Sequence, residues 1–204
     1  MSQRDVRREQ LLAVAVERFA KHGYHRTKIS DIVEQAGVSQ GTFYWHFKSK
    51  QEIALEIIRA GREGLLAVIN QGYPTEGRSV EEMVRRSQRL LKNIFEFAAE
   101  NRYFMELLLT ESGAEDVIRV AIRETRIDMQ TAFRSNIKRA VELDMLPNTI
   151  DLDMRSAFLV SLLEGVIARW LIGPVVDESK LQQLSPEELA AETVRFEFFG
   201  LLGI

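Results

Sequence analysis

The sequence contains no cysteine and only four prolines among its 204 residues. Without cysteine, the chain has no disulfide, no thiolate ligand for zinc or an iron–sulfur cluster, and no cysteine nucleophile. Its first residues, MSQRDVRREQLLAVAVERF, are charged at close intervals and lack the uninterrupted apolar core of a secretory signal. We therefore expect a cytoplasmic protein whose fold depends on a hydrophobic core rather than on disulfides.

Proline is confined to the region beyond residue 73, which leaves long segments for uninterrupted helices. In those segments apolar residues recur at three- and four-residue spacing, and no convincing alternating strand pattern is found. No segment is rich enough in glycine, serine or proline to separate independent domains. The sequence predicts an all-α protein with about nine helices, at roughly residues 3–22, 29–36, 40–47, 49–70, 79–101, 103–111, 115–144, 151–172 and 186–202.

The longest apolar stretch, residues 157–176, is about as long as a membrane span. It contains two charges, Glu164 and Arg169, each of which would cost about 2.5–3.5 kcal/mol near the middle of a bilayer. A Gly-Pro pair at residues 173–174 then interrupts it. We expect a buried helix and no membrane partner.

Small residues recur along one face of this helix, where another helix backbone could approach closely. A helix this apolar must be covered on most sides, and a single chain covers it poorly near its carboxyl end. We therefore expect homodimerisation through this helix. The small residues are Ala157, Ser161, Gly165 and Ala168.

Positive charge is concentrated at the amino terminus, although the whole chain has a net charge of −3. Residues 1–50 carry nine Lys or Arg and five acidic residues, a net charge of +4, so that residues 51–204 carry −7. Such asymmetry indicates nucleic-acid contact by one part of a chain, the alternative being an ordinary solvated surface. We expect two functional parts, residues 1–50 and residues 51–204, joined by the helix near 49–70.

A helix-turn-helix pattern lies within the basic segment. Thr27 can cap a first helix, Gly37 supplies the left-handed residue that ends it, and Ser39 can cap a second helix. Two short helices joined by a tight glycine turn form a helix-turn-helix. The inner face of the first helix consists of four apolar residues: Ile29, Ile32, Val33 and Ala36.

The second helix is expected to turn one face inward and the opposite face outward. At about 100° per residue, Phe43 and Phe47 lie together on the inner side. Gly41 lies on the outer side, although glycine costs a helix roughly 1 kcal/mol relative to alanine. Close approach of another surface to the helix backbone would explain its presence. Gln40 can pair with adenine, and Thr42 can contact a base edge or a thymine methyl, so this face suits the major groove. The outward residues are Gly41, Thr42 and Trp45.

Groups suited to phosphate oxygens flank the outward face, and such contacts set the register of a protein on DNA without reading sequence. The alternative is a small three-helix core in which Tyr, Trp and His only pack against neighbours. An exposed Trp45 beside a helical glycine argues against that alternative. The predicted DNA-binding residues are Thr27, Lys28, Ser39, Gln40, Gly41, Thr42, Tyr44, Trp45, His46, Lys48 and Lys50.

The pattern formed by Gly23, Tyr24, Thr27, Ile32, 36–39, 41–44 and 46–50 resembles the N-terminal signature of the TetR family of bacterial transcriptional regulators. The resemblance covers about the first quarter of the chain. It implies a homodimer with two DNA-binding heads, a divergent ligand-binding C-terminal domain, and dimerisation through the last two long helices. It gives phosphate-contact roles to Thr27, Tyr44, His46 and Lys48, and base-proximal roles to Gln40, Gly41 and Thr42.

The resemblance also places an effector pocket inside the bundle formed by residues from about 49 to 172. Core packing is the alternative explanation for each apolar residue there. Glu164, on an apolar helix, needs a partner, which could be one of the arginines Arg123 and Arg126, the dimer seam or a cationic ligand. The predicted effector-binding residues are Phe95, Phe104, Arg123, Glu124, Met129, Phe133, Glu164 and Trp170.

Neither metal binding nor catalysis is indicated. No carboxylate joins His22, His25 and His46 at a standard ligand spacing. No glycine-rich phosphate loop, nucleophile motif or paired-histidine zinc motif occurs. We therefore expect no metal, no cofactor and no catalytic residue.

The sequence thus predicts a dimeric DNA-binding regulator, a repressor released from a palindromic operator when a small-molecule effector binds the C-terminal part. The alternatives are a transcriptional activator, a helical protein-interaction module without a ligand, and an all-α enzyme. In a DNA-bound dimer, the two recognition helices should lie about 34–36 Å apart or a little wider.

Overall fold

The computed structural model of the chain describes residues 3–71, 80–110, 115–173 and 180–200. Within these ranges it contains nine α-helices and no β-strand, as the apolar periodicity predicts. The helices are α1 (Gln3–His22), α2 (Ile29–Gln35), α3 (Gln40–His46), α4 (Lys50–Ile69), α5 (Val80–Glu100), α6 (Arg102–Thr110), α7 (Asp116–Glu142), α8 (Leu152–Ile167) and α9 (Pro186–Phe199).

The ends of the helices follow local chemistry. α7 ends at Glu142 because Asp144 adopts a left-handed φ of 57°. The N–H of Met145 then donates to the carbonyl of Ala140 at 2.9 Å, which is the closing bond of a Schellman motif. α9 begins with a capping box, in which Ser185 accepts from the N–H of Glu188. Most of the predicted boundaries are correct to within a few residues, and residues 79, 111 and 201–202 of the predicted helices lie outside the described ranges.

The apolar segment predicted as one helix at 151–172 is divided. α8 is followed by a π-helical turn, Ala168–Ile172, which ends where the N–H of Gly173 donates to the carbonyl of Ala168 at 2.7 Å. Within this turn the Trp170 indole is buried and donates to the carbonyl of Leu184 at 3.1 Å. The extra backbone of the π turn thus places a large aromatic ring into the core.

The chain divides into two compact units. Unit 1 consists of Met1–Glu63 and Asn101–Thr125. In this unit α1 packs against α2 and α6, and α2 packs against α3. Its core includes the large buried side chains Leu11, Phe19, Tyr24, Ile32, Phe43, Phe47, Ile53 and Phe104.

Unit 2 consists of Gly64–Glu100 and Arg126–Ile204, and α5 packs along α9 within it. The predicted burial of the apolar α8 is true of one face only, which includes Val160, Leu163 and Ile167. The opposite face is open to solvent: Met154, Phe158, Ser161 and Gly165 are exposed. Among the described residues, none of the helices combines the length and apolarity that crossing a membrane requires.

Two glycines of α4 lie against aromatic rings. In unit 1, a Cβ added at Gly61 would overlap the Phe104 ring. In unit 2, a Cβ added at Gly64 would be 2.8 Å from the Phe97 ring. Distances under 3.0 Å are not tolerated by real Cβ atoms, so these glycines let the rings pack directly on the α4 backbone.

Candidate nucleic-acid interface and effector cavity

The turn between α2 and α3 has the predicted geometry. Gly37 has a φ of 64°, in the left-handed region that favours glycine. The N–H of Val38 donates to the carbonyl of Val33 at 3.0 Å, and that of Gly37 to the carbonyl of Glu34 at 3.1 Å. These two bonds form a Schellman motif, which turns the chain sharply from α2 into α3.

Thr27 does not cap α2, contrary to the prediction. Lys28 occupies the N-cap position, and its N–H donates to the Asp31 carboxylate at 2.9 Å, which lowers the pKa of Asp31. The Thr27 side chain is buried, and its hydroxyl contacts the carbonyls of Gly23 at 2.9 Å and Arg18 at 3.2 Å. The predicted phosphate contact by this hydroxyl is therefore wrong for the described conformation, because the group closes the turn after α1 instead.

Helix α3 has the two predicted faces. Ser39 caps it by accepting from the N–H of Thr42 at 3.1 Å. Phe43 and Phe47 are buried in the core of unit 1. Thr42 is half-buried, and the exposed positions of the outward face are Gln40, Gly41, Tyr44 and Trp45.

Gly41 has no internal reason to be glycine. Its φ is not among the positive values found in the described residues. A Cβ added at Gly41 would meet only Ser39 Oγ, at an ordinary 3.6 Å. Alanine would favour the helix by about 1 kcal/mol at this position. The free space above Gly41 is on the outside of the protein, where another molecule can approach the backbone.

Trp45 is 61% exposed and contacts two neighbours. The Arg4 guanidinium lies over its indole, 4.6 Å from the ring centroid, and the His46 ring contacts it edge-on at 4.7 Å. Sequence reasoning did not identify Arg4. The available signal was a pair of arginines, Arg4 and Arg7, three residues apart on the first turns of a helix.

His46 is half-buried and contributes little charge to this face. Burial, and then the charges of Arg4 and Arg8, hold the pKa of His46 below its ordinary value. Its Nε2 atom is buried and has no hydrogen-bond partner within the described part of the chain. Because the imidazole is neutral at pH 7, its predicted phosphate contact cannot rest on a positive charge.

Lys50 has a different role from the predicted DNA contact. Its ammonium group donates to the carbonyls of Tyr24 and Thr27, both at 2.9 Å, and lies 4.2 Å from the centre of the Tyr24 ring. Burial lowers the pKa of Lys50, and burial with the nearby Glu115 carboxylate raises the pKa of Tyr24 to about 12. Lys50 therefore ties the start of α4 to the turn before α2, which disfavours its predicted DNA contact.

Lys48, two residues earlier, remains exposed at the junction between α3 and α4. Its backbone N–H donates to the Glu52 carboxylate at 2.5 Å, and Ser49 Oγ accepts from the N–H of Glu52 at 3.1 Å. These contacts fix the backbone at the start of α4 and leave the Lys48 side chain available to a ligand.

A cavity in unit 2 has a volume of about 550 Å³. Helices α5, α7, α8 and α9 and the segment after α7 line it, mostly with apolar side chains. Its polar groups include Ser87, Asn136, Arg155 and Glu197. Ser87 donates to the Glu197 carboxylate at 2.9 Å. Glu197 as a whole remains exposed, but protein atoms surround its carboxyl group. This burial of the carboxyl group raises the pKa of Glu197.

Of the eight predicted effector residues, only Phe133 lines this cavity. Three others serve the core of unit 2: Phe95 and Met129 are buried, and the Trp170 ring packs edge-on against Phe95 at 6.0 Å. Phe104 is buried in unit 1 against Gly61. A sequence signal for the real lining did exist, because Ser87 is a polar residue on the apolar stripe of α5.

The predicted charged effector residues are also placed away from this cavity. Glu164 pairs with Arg126, with Nε and Oε1 3.1 Å apart, which is one of the three partners considered for it. Glu124 lies 3.9 Å from Arg62 across two helices of unit 1, and Arg123 is exposed. Within the described ranges, no cluster of three His, Asp or Glu residues could hold a metal ion.

The helix-turn-helix lies within a segment that matches a known protein family. Residues 11–57 match the family model for bacterial regulatory proteins of the tetR family. The chain is 25% identical over 195 residues to the HTH-type transcriptional regulator YdgC of Bacillus subtilis, which covers 96% of this chain and 92% of that protein. It is 27% identical over 179 residues to the HTH-type transcriptional regulator TtgR of Pseudomonas putida, with 82% and 81% covered.

Solved structures share the fold over nearly the whole chain. PfmR, a TetR family transcriptional regulator from Thermus thermophilus, has a TM-score of 0.71 at 23% identity, covering 94% of this chain and 98% of that one. The transcriptional regulator FadR from Bacillus subtilis, solved in complex with stearoyl-CoA, has a TM-score of 0.70 at 17% identity, with 95% and 98% covered. The all-helical architecture is therefore that of known transcriptional regulators.

Proposed function

Because the chain belongs to the TetR family of bacterial regulatory proteins, we propose that it is a homodimeric, ligand-responsive repressor of transcription. Its operator would be a palindromic DNA duplex, and binding of a small molecule in unit 2 would release it. The observation that carries this proposal is the outward face of α3. There an exposed glycine with no internal neighbour lies beside exposed polar and aromatic side chains.

Residues 1–50 act as the DNA-binding part in this proposal, and residues 51–204 as the part for ligand binding and dimerisation. Gln40, Gly41 and Thr42 face the bases, because they lie at the amino-terminal end of α3, where recognition helices contact base edges. Tyr44 and Lys48 contact phosphates. The net charge of +4 on residues 1–50 supports DNA binding by that part of the chain.

Dimerisation is supported by the exposed face of α8. Phe158 and Met154 are 61% and 54% exposed, and in the described part of the chain no atom beyond the neighbouring helix backbone lies within 4 Å of a Cβ added at Gly165. On α9, Phe196 and Phe199 are about half exposed. Exposed apolar side chains on two helices, together with small residues that permit close approach, favour packing against a second copy.

The effector is proposed to occupy the cavity of unit 2. A volume of about 550 Å³ is in the range of sites for small organic molecules. The mostly apolar lining favours an apolar ligand with a small number of polar groups. FadR, which shares the fold, was solved in complex with stearoyl-CoA, a ligand whose acyl chain is apolar.

Release from DNA is proposed to act through α4, which begins beside the helix-turn-helix at Lys50 and continues to Ile69 in the other unit. A ligand can shift the equilibrium only if it binds the DNA-free conformation more tightly than the DNA-bound one. A difference of about 1.4 kcal/mol in that affinity is needed for each tenfold loss of operator occupancy.

The test begins with selection of bound sequences from a randomised duplex pool by the full-length protein. The selected duplex is then titrated by fluorescence anisotropy at several salt concentrations. We expect log K to fall linearly with log salt, with a slope of about −0.9 for each phosphate neutralised. Lys48→Ala should weaken selected and scrambled duplexes alike and reduce the slope by about 1.8, because each protomer of the proposed dimer loses one phosphate contact.

A matched control is Arg102→Ala, which removes one exposed positive charge of the same unit outside α3. It should leave the slope unchanged. A flat salt profile for the wild-type protein, or failure to enrich any sequence, would contradict the proposed DNA binding. Run-off transcription from a promoter that contains the selected site distinguishes a repressor from an activator.

A further inference from the structure

A cleft of about 490 Å³ in unit 1 lies between the first turns of α1 and the outward part of α3. Its walls carry two guanidinium groups, from Arg4 and Arg7, and two hydroxyl groups, from Ser39 and Thr42. The Trp45 indole lies at one side. The cleft is open to solvent beside the face of α3 proposed for base contact.

The positive charge in this cleft is not neutralised by the protein. Within the described residues, no carboxylate lies within ion-pair distance of Arg4 or Arg7, and Arg7 donates only to the side-chain oxygen of Gln10, at 2.8 Å. By contrast, Arg8 pairs with Glu56 and lies over the Phe47 ring. Of these three arginines of α1, Arg8 thus contributes to the fold, and Arg4 and Arg7 remain available to an anion.

Arg4 is held in a defined place by Trp45. Its guanidinium carbon lies 4.6 Å from the indole centroid, and the indole itself is 61% exposed. Stacking uses the flat face of the guanidinium group and leaves its N–H edge free to donate. That edge matches the two oxygens of a phosphate group, with which arginine forms paired hydrogen bonds.

The two hydroxyl groups supply one further donor. Ser39 Oγ already accepts from the N–H of Thr42 at 3.1 Å, and the two hydroxyl oxygens are 3.0 Å apart. Only one hydroxyl hydrogen can lie between these oxygens. The other hydroxyl therefore has a hydrogen that is free to donate, whichever of the two is the donor within the pair.

We propose that this cleft binds a phosphodiester group of the DNA backbone, with Arg4 as its main ligand and Trp45 as the residue that positions Arg4. The proposal rests on the proposed DNA binding and extends it to α1, outside the helix-turn-helix. It gives Trp45 a role that does not require the indole to read a base. Arg7 and the free hydroxyl add further donors to the same phosphate.

The experiment uses the full-length protein and a duplex selected by it, in which single phosphates are replaced by neutral methylphosphonates. A neutral linkage at the phosphate held by the cleft should weaken binding of the wild-type protein about tenfold. Arg4→Ala removes this contact from both protomers of the proposed dimer, so it should weaken the unmodified duplex more than one neutral linkage does and reduce the salt slope by about 1.8. In Arg4→Ala, the same neutral linkage should have a much smaller effect, because only Arg7 and the hydroxyl group then remain as donors to that phosphate.

The positioning role of Trp45 is tested by a double-mutant cycle. Trp45→Ala should weaken binding about threefold, as expected for loss of a cation–π contact at an exposed site. In an Arg4→Ala background, Trp45→Ala should have no additional effect, and Trp45→Phe should keep most of the wild-type affinity. Fully additive effects would overturn the positioning role, because Trp45 would then act independently of Arg4.

The outcomes separate this inference from the proposed function. If Arg4→Ala and Arg7→Ala match the Arg102→Ala control in affinity and slope, and Lys48→Ala does not, the cleft does not bind phosphate and DNA binding stands. If the wild-type protein binds no duplex, the proposed function fails first. Circular dichroism melts of each variant check that a loss of binding does not reflect unfolding. The Arg4 and Trp45 side chains are exposed, so we expect their variants to stay folded.

Discussion

Two glycines in neighbouring helices show opposite relations to their surroundings. Gly61 of α4 lies so close to the Phe104 ring that a Cβ would overlap it. Gly41 of α3 has no neighbour closer than an ordinary 3.6 Å contact. Glycine weakens both helices, but only Gly61 is explained by packing inside the protein. The difference indicates that glycine is present at position 41 because another molecule approaches the helix backbone there.

The most severe way to break this comparison is Gly41→Leu. A leucine side chain would occupy the space that the proposed DNA surface needs, so we expect binding of the selected duplex to fall by more than about 100-fold. The thermal unfolding temperature should not fall, because no internal contact is disturbed. Gly41→Ala serves as the control: it should stabilise the protein by up to about 1 kcal/mol. Full affinity in Gly41→Leu would contradict the external explanation.

Gly61→Ala should show the reverse behaviour. We expect it to destabilise the protein by about 1–3 kcal/mol through overpacking against Phe104, although alanine is the better helix former. Denaturant titration measures this loss. In a Phe104→Leu background the cost of Gly61→Ala should shrink, because the smaller side chain leaves room for the methyl group. The DNA affinity per folded molecule of Gly61→Ala should stay unchanged. A loss of DNA affinity without a loss of stability would contradict the distinction between the two glycines.

The lysines at the junction of α3 and α4 extend the comparison to charge. Lys50→Met should cost about 1–2 kcal/mol of unfolding free energy, because two carbonyls lose the ammonium donor. Its salt slope for DNA binding should equal that of the wild-type protein. Lys48→Met should change the slope and leave stability within about 0.5 kcal/mol. Equal slopes for both variants would remove the distinction between them.

The smallest expected effect concerns His46. The pKa of His46 is lowered in the folded state, so the unfolded chain binds the proton more tightly. The free energy of unfolding therefore decreases as the pH falls below about 6.5, the ordinary pKa of histidine in the unfolded chain. His46→Gln should reduce the loss of stability between about pH 7 and pH 5. Thermal melts over that range provide the measurement, and an NMR titration of the imidazole gives the pKa directly. A pKa above its ordinary value would contradict the described environment.

Helix positions could be predicted from sequence because they depend on local chemistry. The glycine at residue 37 and the serine at residue 39 act within a few residues of themselves, and both have the predicted geometry. Thr27 was misjudged as a cap because its hydroxyl turns back to the carbonyls of Gly23 and Arg18, and the contacts of Lys50 could not be foreseen because they lie far away in sequence. Lys50, for example, contacts carbonyls 23 and 26 residues away. In the sequence, a polar residue at the start of a helix looks the same whether its side chain faces DNA or a buried turn.

The effector cavity could not be located from sequence for a related reason. Large apolar residues such as Phe95, Met129 and Trp170 fill the core of unit 2, and nothing in their spacing separates core from cavity lining. A cavity exists where packing is incomplete, which depends on how four helices meet. The polar residues Ser87 and Glu197, 110 positions apart in the chain, meet only in the folded unit.

The two tryptophans of the chain lie one in each unit and in opposite environments. Trp45 is 61% exposed beside Arg4, and Trp170 is 9% exposed and hydrogen-bonded to the carbonyl of Leu184. Indole fluorescence shifts to shorter wavelength when the ring leaves water, so the chain carries one reporter for each unit. In a Trp170→Phe protein the tryptophan emission reports on the DNA-binding surface, and in a Trp45→Phe protein it reports on the core of unit 2 around Phe95.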